Sequence, residues 1–236
     1  MGTHLLAVGS RVMFVGFGVA LVLASAACSK DSNTATAPVA PAPSAVAASG
    51  GDHQVGIVGE VLQSPVIVQV TDAKGAPVAG VSVTWSVSSG GGSVSSPTTT
   101  SDENGHAEVL WTLGTTAGAE SVQATVGTVN ASFTATAAPG EVAALVVVAG
   151  DQQNVAEGTA TAPLTVKAVD AYGNAVAGAI VSWVDQSGGT LATSTTTTDA
   201  NGLAQDILVT DPASETYTIV ADVADIAPVI FSVVSN

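Results

Sequence analysis

The stretch Pro77-Val78-Ala79-Gly80-Val81-Ser82-Val83-Thr84-Trp85-Ser86-Val87 carries the pattern that decides the fold. From Val81 onward, apolar residues alternate with serine and threonine, which is the period of a β-strand with one buried and one solvated face. Residues 66–71, 131–135, 164–169 and 229–233 alternate in a similar way. Glycine, asparagine, aspartate and proline separate these runs, and no long run beyond the N-terminus has a helical period. The sequence therefore predicts an all-β protein.

The deciding stretch occurs twice, which indicates two copies of one domain. Asp72-Ala73-Lys74-Gly75 recurs 98 residues later as Asp170-Ala171-Tyr172-Gly173, and Trp85 recurs as Trp183 at the same offset. In the middle of the copy the offset shortens to 97, as a one-residue loop deletion would leave it. An internal repeat of this kind sets the domain plan before any local reading.

The repeat divides the chain into four parts. The two copies cover residues 44–138 and 141–236, and Pro139-Gly140 separates them. About seven short strands in each copy predict tandem two-sheet β-sandwiches of the immunoglobulin type. Residues 1–27 then remain as a signal peptide, and residues 28–43 as a flexible linker that starts at the only cysteine.

Aromatic pairs and turns are the structural residues that we predict for these sandwiches. Trp85 and Trp183 lie in mid-strand on the inward face, where they fill the space between the sheets without a disulfide. Phe133 and Phe231 repeat the pattern near the end of each copy. Each copy also has two Asp-x-x-Gly turns, in which aspartate accepts turn amides and glycine adopts a positive φ. The turn residues are Asp72, Gly75, Asp102, Gly105, Asp170, Gly173, Asp199 and Gly202.

The N-terminus has the pattern of an export signal. Arg11 precedes an apolar run over residues 12–27, which is shorter than the ~20 residues of a membrane span, and polar chain follows at once. The run ends in Ser25-Ala26-Ala27-Cys28, which resembles a bacterial lipobox with serine in place of the usual leucine. This resemblance implies cleavage before Cys28 and lipid attachment to it; ordinary secretion and an uncleaved anchor are the alternatives. Residues 31–43, rich in proline and alanine, predict a tether of ~40 Å.

Composition excludes several functional classes. The chain has 236 residues, of which 19 are acidic and 4 basic, and its formal net charge is −15. Removal of the signal with Arg11 leaves three basic and 19 acidic groups, so the mature charge is −16. So few cations cannot follow a phosphate backbone, which excludes nucleic-acid binding. A single cysteine excludes an internal disulfide and a cysteine-based zinc site.

The order of the motifs resembles a known family. Val-x-Asp-x-x-Gly, Pro-Val-x-Gly-x-x-Val-x-Trp, a glycine-rich stretch, a threonine run and Asp-x-x-Gly-x-Ala follow one another between Val70 and Ala107. They recur between Val169 and Ala204, with Ala175 in place of Pro77. This pattern looks like the group 1 bacterial Ig-like domain (Big-1) of invasin- and intimin-type proteins. The resemblance implies a stalk segment; no lectin-like tip or outer-membrane barrel is recognisable, so receptor binding is not carried over.

Residues with possible chemistry are few, and each has a structural alternative. His53 and His106 are replaced in the second copy by Asp151 and Leu203, which does not suggest a catalytic pair. A calcium site is an alternative because clustered carboxylates suit that ion in an exported protein. Its candidates are chiefly the turn residues Asp72, Asp102, Asp170 and Asp199, followed by Glu103, Asp206 and Asp211.

Positions where the two copies differ leave further alternatives open. Trp111 and Tyr172 are matched by Leu208 and Lys74, and are either ligand contacts or, respectively, core packing and turn decoration. The threonine runs at 98–100 and 195–198 are either an adhesive edge or strand filler. Asp185 and Asp206, which stand where the first copy has valine, predict either that the strand has ended or that the face is exposed, because an unpaired buried carboxylate is costly.

These observations define the expected function. We expect a non-catalytic protein without a cofactor, exported and lipid-anchored to the bacterial envelope at the outer membrane or cell surface. Its Ig-like domains would act in adhesion, as a stalk or in envelope interaction; the alternative is a glycan- or peptide-binding module, with calcium assistance. The expected partners are the membrane, through the lipid, and an unidentified surface protein or glycan.

Overall fold

A computed structural model describes residues 42–236 of the chain. The predicted signal peptide, Cys28 and the tether up to residue 41 lie outside the described residues. Within residues 42–236 every regular element is a β-strand, as the alternating sequence pattern predicts. None of the residues described here forms a helix long and apolar enough to cross a membrane.

The first domain is a sandwich of a three-stranded and a five-stranded sheet. Its strands are β1 (Ala45–Gly50), β2 (Gln54–Ile57), β3 (Val66–Thr71), β4 (Ser82–Ser89), β5 (Ser93–Val94), β6 (Thr98–Thr100), β7 (His106–Val109), β8 (Trp111–Thr112), β9 (Gly118–Val126) and β10 (Val129–Ala138). The strand orders are β1-β3-β7 and β2-β10-β9-β4-β6, with β5 and β8 as a separate ribbon. Neighbours are antiparallel, except that β2 runs parallel to β10.

The second domain repeats this architecture strand by strand. Its strands are β11 (Ala144–Ala149), β12 (Gln153–Val155), β13 (Leu164–Val169), β14 (Ile180–Asp185), β15 (Thr190–Leu191), β16 (Thr195–Thr197), β17 (Leu203–Asp206), β18 (Leu208–Val209), β19 (Glu215–Asp222) and β20 (Val229–Ser235). The sheets have the orders β11-β13-β17 and β12-β20-β19-β14-β16, and β15 pairs with β18. Each domain thus has ten strands rather than about seven, because strands of two or three residues show no recognisable alternation.

The cores of the two domains are built on the same aromatic pair. Trp85 and Phe133 are buried with ring centroids 6.0 Å apart at 38°, and Trp183 and Phe231 have the same geometry. Each indole also donates a hydrogen bond of 2.7 Å, from Trp85 to Thr99 and from Trp183 to the equivalent threonine Thr196. All three residues of each set belong to the same five-stranded sheet, so the aromatic pair and the satisfied indole N–H stabilise the inner face of that sheet.

The threonine runs supply these two acceptors. They form the edge strands β6 and β16, where the middle threonine accepts the tryptophan N–H and its neighbours face solvent. A structural role therefore accounts for Thr99 and Thr196. Thr198, which follows β16 in the second run, is also buried, and its hydroxyl donates to the Val176 carbonyl.

The two aspartates that replace valine in the second domain have different environments. Asp185 ends β14 and accepts hydrogen bonds from the amides of Ser187 and Gly188, so the strand has indeed ended there. Asp206 is only 4% exposed, and the prediction that it lies beyond a strand or on an exposed face is wrong. The amide of Thr193 donates to its carboxylate at 3.1 Å. Burial raises the pKa of Asp206 above its usual value despite that hydrogen bond.

Candidate functional site

The four Asp-x-x-Gly turns share one hydrogen-bonding pattern. In each turn one carboxylate oxygen of the aspartate accepts the amides two and four residues further on, at 2.8–2.9 Å. The glycines of the four turns have φ between 74° and 85°. The turn at Asp72 thus has the same local structure as the turn at Asp170, and any difference between them comes from what surrounds them.

Asp170 differs from Asp72 because it lies at the junction of the two domains. It is 4% exposed, and its second oxygen accepts hydrogen bonds from the Gly140 amide at 3.0 Å and from the Asn174 side chain at 2.9 Å. Burial raises the pKa of Asp170, but the hydrogen bonds from Asn174, Gly140 and Tyr172 outweigh it and hold the pKa below its usual value. The carboxylate is therefore ionised at neutral pH and fixes the interdomain linker to the turn.

Asn174 connects the same turn to the first domain. Its Oδ1 accepts the Ala117 amide at 2.9 Å, and its Nδ2 donates to the Thr115 carbonyl, also at 2.9 Å. One amide side chain thus satisfies a donor and an acceptor of the loop that precedes β9. The first domain has Ala76 at the position of Asn174, so its own turn cannot make these contacts.

Tyr172 contacts the first domain at Gly59. A Cβ atom at position 59 would lie 2.7 Å from the Tyr172 hydroxyl, and φ at Gly59 is +75°, so a larger residue would be strained and would displace the ring. Beside this contact an open groove of about 520 Å³ carries two exposed carboxylates, Glu60 and Glu141. Tyr172 is therefore more than turn decoration, because it packs across the domain junction.

Glu120 lies beneath the junction loop. It is buried on β9, and the Gly114 amide donates to both of its carboxylate oxygens, at 2.8 and 3.1 Å. Burial raises the pKa of Glu120 above its usual value, and the Gly114 hydrogen bond only partly opposes that rise. The Gly114 carbonyl in turn accepts the Gly59 amide at 2.9 Å, which links this carboxylate to the glycine under Tyr172.

The other candidates from the sequence lie apart from this junction. Trp111 is fully buried, which makes it a core residue, and its indole N–H has no hydrogen-bond partner among the described residues. His53 is exposed and contacts the neighbouring Asp52 at 3.1 Å. His106 lines a shallow groove together with Asp102 and Glu108. In residues 42–236 no three histidine, cysteine or acidic side chains come together as a metal site.

Asn174 and Glu120 are the junction residues that the sequence analysis missed. Both stand where the copies disagree, since Ala76 matches Asn174 and Tyr217 matches Glu120. The difference between the copies marks these positions in the sequence, but only the folded structure shows that they lie at the domain junction.

The structure and the motifs define the class of protein. Two Ig-like β-sandwiches follow each other in one chain, with a hydrogen-bonded junction between them. The profile of the bacterial Ig-like domain (group 1) matches residues 60–138 and 144–231. The chain therefore belongs to the group 1 bacterial Ig-like domain family, as the motif resemblance predicted. No curated protein matches the chain.

Solved structures with a similar fold include domains of intimin, the adhesin FdeC and invasin, and also a glycosyl hydrolase of family 2. The D0-D1 domain of intimin is 20% identical, with 80% of this chain and 98% of that chain covered and a TM-score of 0.32. The Escherichia coli adhesin FdeC is 22% identical, with coverages of 81% and 65% and a TM-score of 0.48. Invasin, a bacterial integrin-binding protein, is 22% identical, with coverages of 82% and 40% and a TM-score of 0.39. The chain thus spans less than two thirds of the FdeC and invasin structures.

Proposed function

We propose that the chain is a non-catalytic surface lipoprotein whose two Ig-like domains form a stiff spacer above a lipid anchor at Cys28. The observation that supports a spacer is the junction, where Asp170 and Asn174 bind backbone groups of the linker and of the first domain. Domains in one chain move relative to each other by default unless their interface resists it. Membership of the group 1 Ig-like family favours a place on the bacterial surface.

The strand directions suit an extended arrangement. Ser44 bonds to Thr71 at the end of the first domain that carries the Asp72 turn, whereas β2 and β10 run in parallel to the opposite end. The chain therefore enters the first domain at one end and leaves it at the junction. Ten residues of β10 span ~34 Å, so two domains in line would extend ~70 Å beyond the tether.

Distance measurements between the domains test the spacer. In the full chain carrying Cys28→Ser, spin labels at Ser132→Cys and Thr216→Cys report one interdomain distance, since the sequence has no other cysteine. We expect a narrow distance distribution that broadens when Tyr172→Lys and Asn174→Ala give the second turn the residues of the first. Lys74→Tyr with Ala76→Asn is the matched control and should change nothing. An unmodified junction with a distribution as broad as that of the variant would contradict a stiff spacer.

Metabolic labelling tests the lipid anchor independently. Cells expressing the full chain and fed radiolabelled palmitate should place label on this protein, and Cys28→Ala should remove the label. A Cys28→Ala protein that keeps the label would contradict lipidation at Cys28, whereas an unlabelled wild-type protein would favour ordinary secretion. Neither result depends on the stiffness of the junction.

Binding is the second candidate function. FdeC is described as an adhesin and invasin as an integrin-binding protein, which suggests adhesion as a role for this chain too. The specific observation on this chain is an exposed apolar face on the second domain, where Val184 and Ile230 are 51% and 60% exposed. A peptide or protein ligand suits such a face better than a glycan, because its side chains are aliphatic rather than aromatic.

A further inference from the structure

The outer face of the five-stranded sheet in the second domain carries a continuous apolar row. Val184 on β14 is paired with Val220 on β19, which is paired with Ile230 on β20. Side chains opposite each other on one face of a sheet lie about 5 Å apart, so the three form one contiguous surface. Ile180 lies on the same strand and face as Val184 and is 64% exposed.

The first domain has polar residues at the same register. Ser86, Gln123 and Ser132 are paired across β4, β9 and β10 just as the apolar row is paired in the second domain. The fold therefore does not require valine or isoleucine at these positions. Single exposed apolar side chains are ordinary, but a contiguous row on a sheet face is a mark of an interaction surface.

Acidic groups border the apolar row. Asp222 is paired with Ser182 in the next row of the same face, where the first domain has Thr125. On the other side, the carboxylate of Asp151 accepts the amide of Ser232, two residues from Ile230. The lysines of the described part of the chain are Lys74, in the first domain, and Lys167, on β13 of the opposite sheet.

The charge decides between the possible occupants of this face. A second molecule of this protein would place its own acidic groups against those that border the row, and each chain has a net charge of −15, so the two would repel each other. An anionic lipid surface would be repelled for the same reason. A protein that presents aliphatic side chains flanked by lysine or arginine matches both the apolar row and its border.

We propose that the face centred on Val184, Val220 and Ile230 is the docking surface for a partner protein with a basic, aliphatic patch. This assignment rests on the second candidate function, binding, and adds the extent of the face and the chemistry of the partner. It stands whether or not the junction proves stiff.

A pair of designed peptides tests the proposal. The probe is a synthetic amphipathic helix with a leucine stripe flanked by lysines, and its control has glutamate at every lysine position. We expect the lysine peptide to shift the methyl resonances of Val184, Val220 and Ile230 in the full chain carrying Cys28→Ser, and the glutamate peptide not to bind. The variant V184S/V220Q/I230S, which carries the residues of the first domain, should bind at least about tenfold more weakly.

Further measurements separate the apolar row from its charged border. Asp222→Thr should weaken the binding of the lysine peptide and leave the melting temperature of the chain unchanged. Equal affinity of the wild-type chain and V184S/V220Q/I230S for the lysine peptide would overturn the proposal, as would equal binding of the glutamate peptide. Self-association in sedimentation, or binding to phosphatidylglycerol vesicles, would also overturn it if V184S/V220Q/I230S abolished that behaviour, since the face would then serve a second copy or a membrane.

Discussion

Asp170→Ala, compared with Asp72→Ala, measures what the domain junction adds to an otherwise identical turn. Both aspartates accept two amides of their own turn, so the cost of removing these bonds should be about the same in each and should cancel in the comparison. Asp170 alone also accepts the Gly140 amide and the Asn174 side chain. Hydrogen bonds to a charged group contribute about 1.5–3 kcal/mol each, and partial relaxation reduces the sum. We expect Asp170→Ala to cost about 3 kcal/mol more than Asp72→Ala.

Urea denaturation followed by tryptophan fluorescence measures this difference. Trp183 reports on the second domain, whereas Trp85 and Trp111 report on the first, so the domain that loses stability can be identified. Asp170→Ala should lower the midpoint of the second domain, and Asp72→Ala should have a small effect confined to the first. A total stability of about 5–15 kcal/mol per domain leaves the variant folded.

The pH dependence gives the same comparison a second, independent readout. Because the pKa of Asp170 is lower in the folded protein than in the unfolded chain, its contribution is present above the unfolded pKa and is lost as the pH falls through the folded pKa. The gap between wild type and Asp170→Ala should therefore narrow in acid. A cost no larger than that of Asp72→Ala at neutral pH, or a gap that does not change with pH, would refute the reasoning.

Three further predictions concern the cores and the junction. Trp85→Ala and Trp183→Ala should each cost about 3–5 kcal/mol in urea denaturation, because each removes a buried ring and its hydrogen bond to threonine; melting within a degree or two of wild type would count against the core assignment. Glu120→Gln should raise the melting temperature at neutral pH, and thermal denaturation in acid should show no such gain. Because burial raises the pKa of Glu120 in the folded protein, the ionised carboxylate disfavours folding, and this cost is absent once the group is protonated in both states. Gly59→Ala should broaden the interdomain distance distribution, because the new Cβ would meet the Tyr172 hydroxyl; an unchanged distribution would show that this contact does not set the junction.

The sequence predicts those features of the fold that depend on neighbouring residues. Alternation places Val83 and Trp85 on the buried face of β4, and both are buried in the structure. The motif order predicts the family, and the family profile confirms it. The split of the first strand into β1 and β2, which join different sheets, has no such signal, because each piece is too short to show a period.

The candidate site was harder to predict because its residues meet only after folding. Asn174 bonds to Ala117, which is 57 residues away in the chain, and the geometry of that contact depends on how two complete domains abut. Asp206 was misplaced for a related reason. A buried carboxylate is unfavourable in isolation, and only the tertiary structure shows that Thr193 supplies a donor.

The residue differences between the two domains are of two kinds: those that repack a core and those that change contacts outside a core. Some differences compensate each other within a core. In the second domain Leu208 and Tyr217 both pack against Gly189, whereas the first domain has Trp111 and Glu120 at the same positions of β8 and β9, so the large aromatic side chain moves from one strand to the other. Such an exchange keeps the interior filled.

Other differences between the two domains are not compensated by a second substitution within a core. Lys74 against Tyr172 and Ala76 against Asn174 change only what a turn presents to its surroundings, and Ser86 against Val184 changes only an outer sheet face. The individual sandwich does not require these residues, since the first domain has the same architecture without them. At the turn, Tyr172 and Asn174 contact the first domain, which is packed against it. The apolar row on the sheet face has no equivalent neighbour among residues 42–236, which is why we propose a partner protein for it.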